Sequence, residues 1–150
     1  MTEQLPAISI VEPGAGELVN VLGAPIMIKS NGRSDQLFFA DHPLPPGFGV
    51  PMHAHADEDE LFYVLEGEIT LQHAGGSATV GAGTFIHLPR GLPHGFHNAG
   101  ALPARMIVIA TPGGGLEGVF RGLDAAGRGE RPLGPRHIGE ICAANRVAML

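Results

Sequence analysis

Turn signals recur through the middle of this chain, mostly about every 8–15 residues, and that spacing constrains the fold more than any other feature. They stand at Leu22-Gly23, Asn31-Gly32, Pro45-Pro46-Gly47, Glu66-Gly67, Gly75-Gly76, Gly81-Ala82-Gly83 and Asn98-Ala99-Gly100. The apolar runs between them suit strands rather than long helices, so Glu17 to about Ala110 reads as an antiparallel sandwich or barrel. The 23 glycines, the 13 prolines and the absence of tryptophan agree with many short strands and tight turns. A chain of 150 residues fits one domain and buries roughly 68–70% of its unfolded surface, enough for a core without disulfides. Cys142, the single cysteine, fits a reducing compartment and reads as packing near the C-terminus, away from the histidines.

Ile69-Thr70-Leu71-Gln72 alternates, but Leu61-Phe62-Tyr63-Val64-Leu65 is apolar on both faces. Such a strand needs a cover on its outer side, from a C-terminal helix or a second copy of the chain, and a homodimer is the favoured reading. After Pro112 the period changes: Leu116, Val119, Phe120 and Leu123 recur at i, i+3, i+4 and i+7, which predicts an amphipathic helix. A Gly/Arg/Pro linker from Gly127 leads to a second short helix that starts at Pro135 and carries Ile138, Ile141 and Cys142. The expected organisation is a lead-in over 1–16, a barrel over 17–112, and a helical appendage over 113–150 that packs on the barrel rather than acting as a lid.

The net charge is −6 and Lys29 is the only lysine, so nucleic acid is not an expected partner. Gly113-Gly114-Gly115 lacks the strand, spacing and lysine of a phosphate-binding loop. The longest apolar stretch, Met106 to Ala110, is far short of the roughly 20 residues of a membrane span. Met-Thr-Glu-Gln-Leu-Pro at the start has neither the basic nor the apolar region of a secretion leader. A soluble, cytoplasmic protein with no membrane partner is expected.

One group of side chains follows a chemical rather than a packing logic. His53 and His55 are two apart, so an extended strand points both to one face. Glu60 enters on the same or the following strand, and His94 arrives from much further along the chain. Three imidazoles and a carboxylate suit one divalent transition metal: iron, manganese, nickel, cobalt, copper or zinc. A closed structural zinc site would favour cysteine. Glu58 is also within reach of the ion, within an acidic run with Asp57 and Asp59 that otherwise reads as a solvated loop. His97 and His87 are candidates to orient ligands through hydrogen bonds, although alternation puts His97 on the face opposite His94. His42, His73 and His137 read as surface residues. Counting by twos from the ligands gives Phe62, Val64 and Phe96 as walls of a substrate pocket, with Phe39 or Phe38 and Met52 beside them; the same residues would also simply fill a small barrel.

Two fuller patterns surround the ligands. One runs Gly47-x5-His53-x-His55-x4-Glu60-x6-Gly67, the other Gly83-x5-Pro89-x-Gly91-x2-His94-x3-Asn98. At every fixed position they resemble the two signature motifs of the cupin superfamily, and the short gap from Glu68 to Ala82 is similar to that of compact single-domain bacterial cupins. The step of six residues to Gly67 favours Glu60 over Glu58. The resemblance implies an all-β fold, a double-stranded β-helix or jelly-roll barrel, carrying here one or two short C-terminal helices. It implies one metal ion held by His53, His55, Glu60 and His94, with the glycines and Pro89 serving the turns. With one motif pair, the chain does not resemble the two-barrel oxalate-degrading or seed-storage members.

Among small cupins the chain resembles the flavonol (quercetin) dioxygenase-like proteins. Four ligands on an octahedral ion leave two adjacent positions free, enough for a small phenolic or enolic substrate and dioxygen. Glu60 is then the expected catalytic residue, taking a substrate proton as general base. Two other classes stay open: a non-catalytic small-molecule binder or sensor, and a metal-dependent isomerase or lyase acting on a sugar or keto acid. The last would need more polar groups inside the barrel, for which only Gln36, Gln72, His42 and His97 are available.

Overall fold

Alternating burial, the mark of strands with one wet face, runs through a computed structural model that describes residues 7–30, 32 and 35–150. Residues 1–6 of the lead-in, and Asn31 of the Asn31-Gly32 turn, lie outside the described residues. The strands are β1 (Glu17–Val21), β2 (Ala24–Ile28), β3 (Phe38–Leu44), β4 (Gly49–His55), β5 (Asp59–Glu66), β6 (Glu68–His73), β7 (Gly76–Gly81), β8 (Phe85–Leu88), β9 (His94–His97), β10 (Ala104–Thr111) and β11 (Val147–Met149). Between β10 and β11 lie α1 (Gly114–Gly127) and α2 (Pro135–Ala144). One sheet has the order β1-β2-β3-β10-β5-β8, the other β11-β4-β9-β6-β7, and every pairing is antiparallel. The two faces pack as the expected double-stranded β-helix.

Strand β10 lies between β3 and β5 and sets the core. Its Met106, Val108 and Ala110 face inward, level with Phe38, Ala40 and His42 of β3 and with Glu60, Phe62 and Val64 of β5. All nine are buried, so the inner wall is apolar except at Glu60 and His42. Buried Asn98 is fully occupied: its amide donates to the Leu44 and Leu102 carbonyls (3.0 and 2.8 Å), and its Oδ1 accepts from the Gly100 N–H (3.0 Å). It thereby pins the loop before β10 to the end of β3.

Both predicted helices are present, with Leu116, Val119, Phe120 and Leu123 buried on α1 and Cys142 on α2. α1 packs along β1, and α2 rests on α1 and β11. The chain then returns as a strand that the sequence did not signal: β11 pairs with β4, setting Val147 against His55 and Met149 against His53. Neither helix covers the outer face of β5, where Leu61 and Leu65 are half-buried and Tyr63 is 45% exposed, beside Phe85 at 61%. Of the two covers expected for that strand, the helix is therefore excluded. Among the described residues no helix is long and apolar enough to cross a membrane.

Gly67 by itself turns the chain from β5 in one sheet to β6 in the other. Its φ is 71°, and a Cβ there would lie 2.7 Å from the Pro103 carbonyl oxygen. Gly67→Ala should therefore lower the unfolding free energy by roughly 2–4 kcal/mol, the sum of the left-handed penalty and the clash. Urea denaturation reads this; an unchanged midpoint would show that the corner yields freely.

Candidate metal centre

The four predicted ligands converge. His53 and His55 share the inner face of β4, His94 stands opposite His53 in the β4–β9 register, and Glu60 reaches in from the other sheet. All four are buried, and one ligand atom from each lies within 4.8 Å of the others. Strand β4 is not regular here. Val50 pairs with Phe96 and His53 with His94, so Pro51 and Met52 together face Gly95. This bulge re-aims the strand so that the histidines enter the barrel. A Cβ at residue 95 would stand 3.0 Å from the Val50 oxygen and 3.1 Å from the Met52 nitrogen, so the bulge closes over a glycine.

Backbone carbonyls orient two of the rings. His53 Nδ1 donates to the Pro51 oxygen (2.8 Å) and His94 Nδ1 to the Leu92 oxygen (3.1 Å). A carbonyl only accepts, so each Nδ1 carries its proton and each Nε2 presents a lone pair to the common centre. Glu60 Oε2 lies 2.9 Å from His94 Nε2 and 3.1 Å from His55 Nε2. With a neutral His94 ring, its contact with Glu60 sets one acceptor against another, and a cation between them resolves the conflict. Both ring nitrogens of His55 are buried without a hydrogen-bond partner, an unfavourable state that coordination of Nε2 would relieve. Around an octahedral ion with bonds of ~2.1 Å, adjacent donors sit ~3 Å apart and opposite ones ~4.2 Å. The residues present fit such an ion after a small contraction.

Charge balance agrees. Burial raises the Glu60 pKa, but the His55 and His94 rings outweigh it and hold the carboxyl far below its usual range. Burial chiefly lowers His53 to about 4. Burial also works against charge on His55, but the carboxylates of Glu58 (3.8 Å from Nδ1) and Glu60 prevail and raise it to about 9. In the metal-free protein the proton on His55 thus stands in for the cation.

The centre opens on a cavity of about 360 Å³. Its walls include Phe48, Val50, Phe96 and Val108 from the barrel, Leu116, Val119, Phe120 and Leu123 from α1, and Ile138 and Cys142 from α2. Of the predicted pocket residues, Phe96 lines this cavity. Phe62 stacks edge-on against Phe96 at 5.1 Å and, with Val64, fills the barrel behind it. Phe39 and Met52 are half-buried on the outward faces of β3 and β4, while Phe38 points inward. His87 and His73 are exposed, and His97 is half-buried on the outer face of β9, beside Gly49.

Besides Phe39 and Met52, three residues depart from expectation. His42 is not a surface residue: it is 2% exposed and borders the cavity. Alternation from Phe38 through Ala40 would have revealed its inward face. Cys142 is distant from the histidines in sequence but shares their cavity, because α2 folds back over the barrel. Glu58 is neither solvated nor a ligand. It is buried and accepts the Gly115 and Leu116 N–H groups (3.2 and 2.8 Å), capping α1.

A metal must displace the His55 proton, so its affinity should fall at least tenfold for each pH unit below about 9. Competition titrations with a chromophoric chelator between pH 6 and 9 measure this slope. A flat profile would mean that His55 holds no proton to be displaced between pH 6 and 9.

Comparisons with known proteins agree with this geometry. The cupin domain model matches residues 42–110. An oxalate-binding protein from Thermotoga maritima is 32% identical over 102 residues, covering 68% of this chain and 82% of that protein. The polyketide cyclase RemF from Streptomyces resistomycificus is similar in structure at 27% identity with a TM-score of 0.60, over 71% of this chain and 80% of that one. A sugar phosphate isomerase from Silicibacter pomeroyi shares the fold at 22% identity and a TM-score of 0.62, over 69% and 75% of the two chains. With a relative 32% identical over 82% of its length and the domain match spanning all four converging residues, the chain belongs to the cupin family.

Proposed function

We propose that this cupin is a mononuclear metal-dependent enzyme, of dioxygenase type, that acts on an apolar phenolic or enolic molecule. The observation that carries the reading is the contrast within one cavity: three imidazoles and a carboxylate at one end, and almost wholly apolar walls elsewhere. Among the described residues no lysine or arginine lines the cavity away from the centre, which disfavours a sugar phosphate, despite the similar structure that bears that name. A divalent transition metal held by His53, His55, Glu60 and His94 supplies Lewis acidity and, if redox-active, a path for electrons between substrate and dioxygen.

The chain's own contributions follow from its residues. Phe48, Phe96 and Phe120 exclude water and hold the apolar body of the substrate. Glu60, the one carboxylate side chain that lines the cavity among the described residues, is assigned the proton of the substrate hydroxyl. Its lowered pKa makes it a weak acceptor, which suits an acidic enol or phenol better than an alkyl alcohol. A second reading, proton transfer and ring closure without oxygen, draws support from the likeness to the polyketide cyclase. We further take the chain to be a homodimer joined through the outer face of β5, β8 and β10, where Tyr63, Phe85, Leu61, Ile107 and Ile109 form one apolar patch.

Metal-loaded protein should consume oxygen with at least one member of a panel of phenols and 1,3-diketones, and Glu60→Gln should slow this by 100-fold or more. Product formation without oxygen uptake would favour the second reading, and binding without conversion would reject both. Sedimentation should find a dimer in the parent and a monomer in Tyr63→Glu; a monomeric parent would overturn the pairing.

A further inference from the structure

Among the described residues, His42 is the one imidazole bordering the cavity that the metal reading leaves without a role. Its Nδ1 donates to the Pro43 carbonyl at 2.8 Å, so in the neutral ring Nε2 holds the lone pair. The rings of Phe48, Phe96 and Phe120 meet it edge-on, at centroid distances of 5.3, 6.1 and 6.2 Å. They fix its orientation but offer no hydrogen bond. Among the described residues nothing donates to Nε2, and unlike the sealed ring nitrogens of His55 it is open to the cavity. His42 and Glu60 lie on the same inner face, to either side of β10, His42 level with Met106 and Glu60 level with Ala110. The apolar wall thus has a metal centre at one end and a single acceptor at the other. Burial holds His42 down to about 4, so the ring stays a neutral acceptor under ordinary conditions.

Resting on the reading of this cavity as the substrate site, we propose that His42 Nε2 is its second anchor and accepts a hydrogen bond from a hydroxyl or N–H of the ligand. The site then selects an apolar molecule with a chelating oxygen pair at one end and a donor remote from it. A buried acceptor left unpaired disfavours any ligand that lacks the donor, and this makes the group selective rather than merely attractive.

Arylhydroxamates provide the test, since they chelate a metal at one end and can carry a ring hydroxyl at the other. Benzohydroxamate, phenylacetohydroxamate and their hydroxyphenyl isomers are titrated into the zinc-loaded protein. At least one hydroxylated probe should bind roughly 3- to 10-fold tighter than its parent. That preference should vanish in His42→Leu and survive in His42→Gln, whose side-chain oxygen can accept, while the parent probe binds His42→Leu at least as tightly as the other two proteins. No preference in the unsubstituted protein, or one that persists in His42→Leu, overturns the assignment. Should His42→Leu not fold, the imidazole 15N spectrum decides: the His42 Nε2 resonance must shift with the hydroxylated probe and not with its parent. Parent probes that bind metal-free protein as well as loaded protein would sink the cavity reading, and this inference with it.

Discussion

A negative charge buried in an apolar barrel needs a cation, and the Glu60 carboxylate imposes that demand on everything around it. It lies 2.9 Å from His94 Nε2 and 3.1 Å from His55 Nε2, and it is 4% exposed. An ionised carboxylate so placed is very unfavourable unless paired. A divalent ion meets the demand and satisfies the imidazole lone pairs at the same time. The proton that His55 otherwise holds meets only part of it, since the ring nitrogens remain without good partners.

The barrel serves this centre by bringing strands from both sheets to one point. The bulge at Pro51-Met52 aims His53 and His55 inward, Gly95 lets the bulge close, and the Pro51 and Leu92 carbonyls fix two rings. The helices add the other half of the design. α1 and α2 close the open side of the barrel with apolar side chains, and β11 ties the end of the chain to the ligand strand. Glu58 joins the two halves, since it caps α1 while standing 3.8 Å from His55. The outcome is a polar centre in a dry chamber, where electrostatic interactions are strong and a ligand's apolar body is welcome.

Much of this was legible in residue order. The ligand set could be read because period-2 strands turn a His-x-His spacing into a shared face, and the glycines and Asn98 mark corners where side chains clash or a loop must be pinned. The two helices were legible from Leu116, Val119, Phe120 and Leu123 and from Pro135. What escaped were contacts between distant segments. Cys142 and Glu58 have ordinary neighbours in sequence, and their roles arise only when α2 and α1 dock on the barrel. His42 was within reach of the same alternation rule, but the turn residues beside it, Pro43 to Gly47, suggested an exposed edge.

The sequence by itself determined the barrel, its corners and the four candidate ligands, because the motifs that carry them depend on spacing within strands and turns, and local geometry enforces that spacing. Only the tertiary structure decided the shape and chemistry of the cavity: which walls are apolar, that among the described residues no arginine or lysine enters, and that His42 faces inward opposite the centre. Those properties belong to no single segment. They arise where β3, β10, both helices and β11 close around a shared volume, and the free energy of that closure comes from apolar surface that the chain's order does not assign to partners.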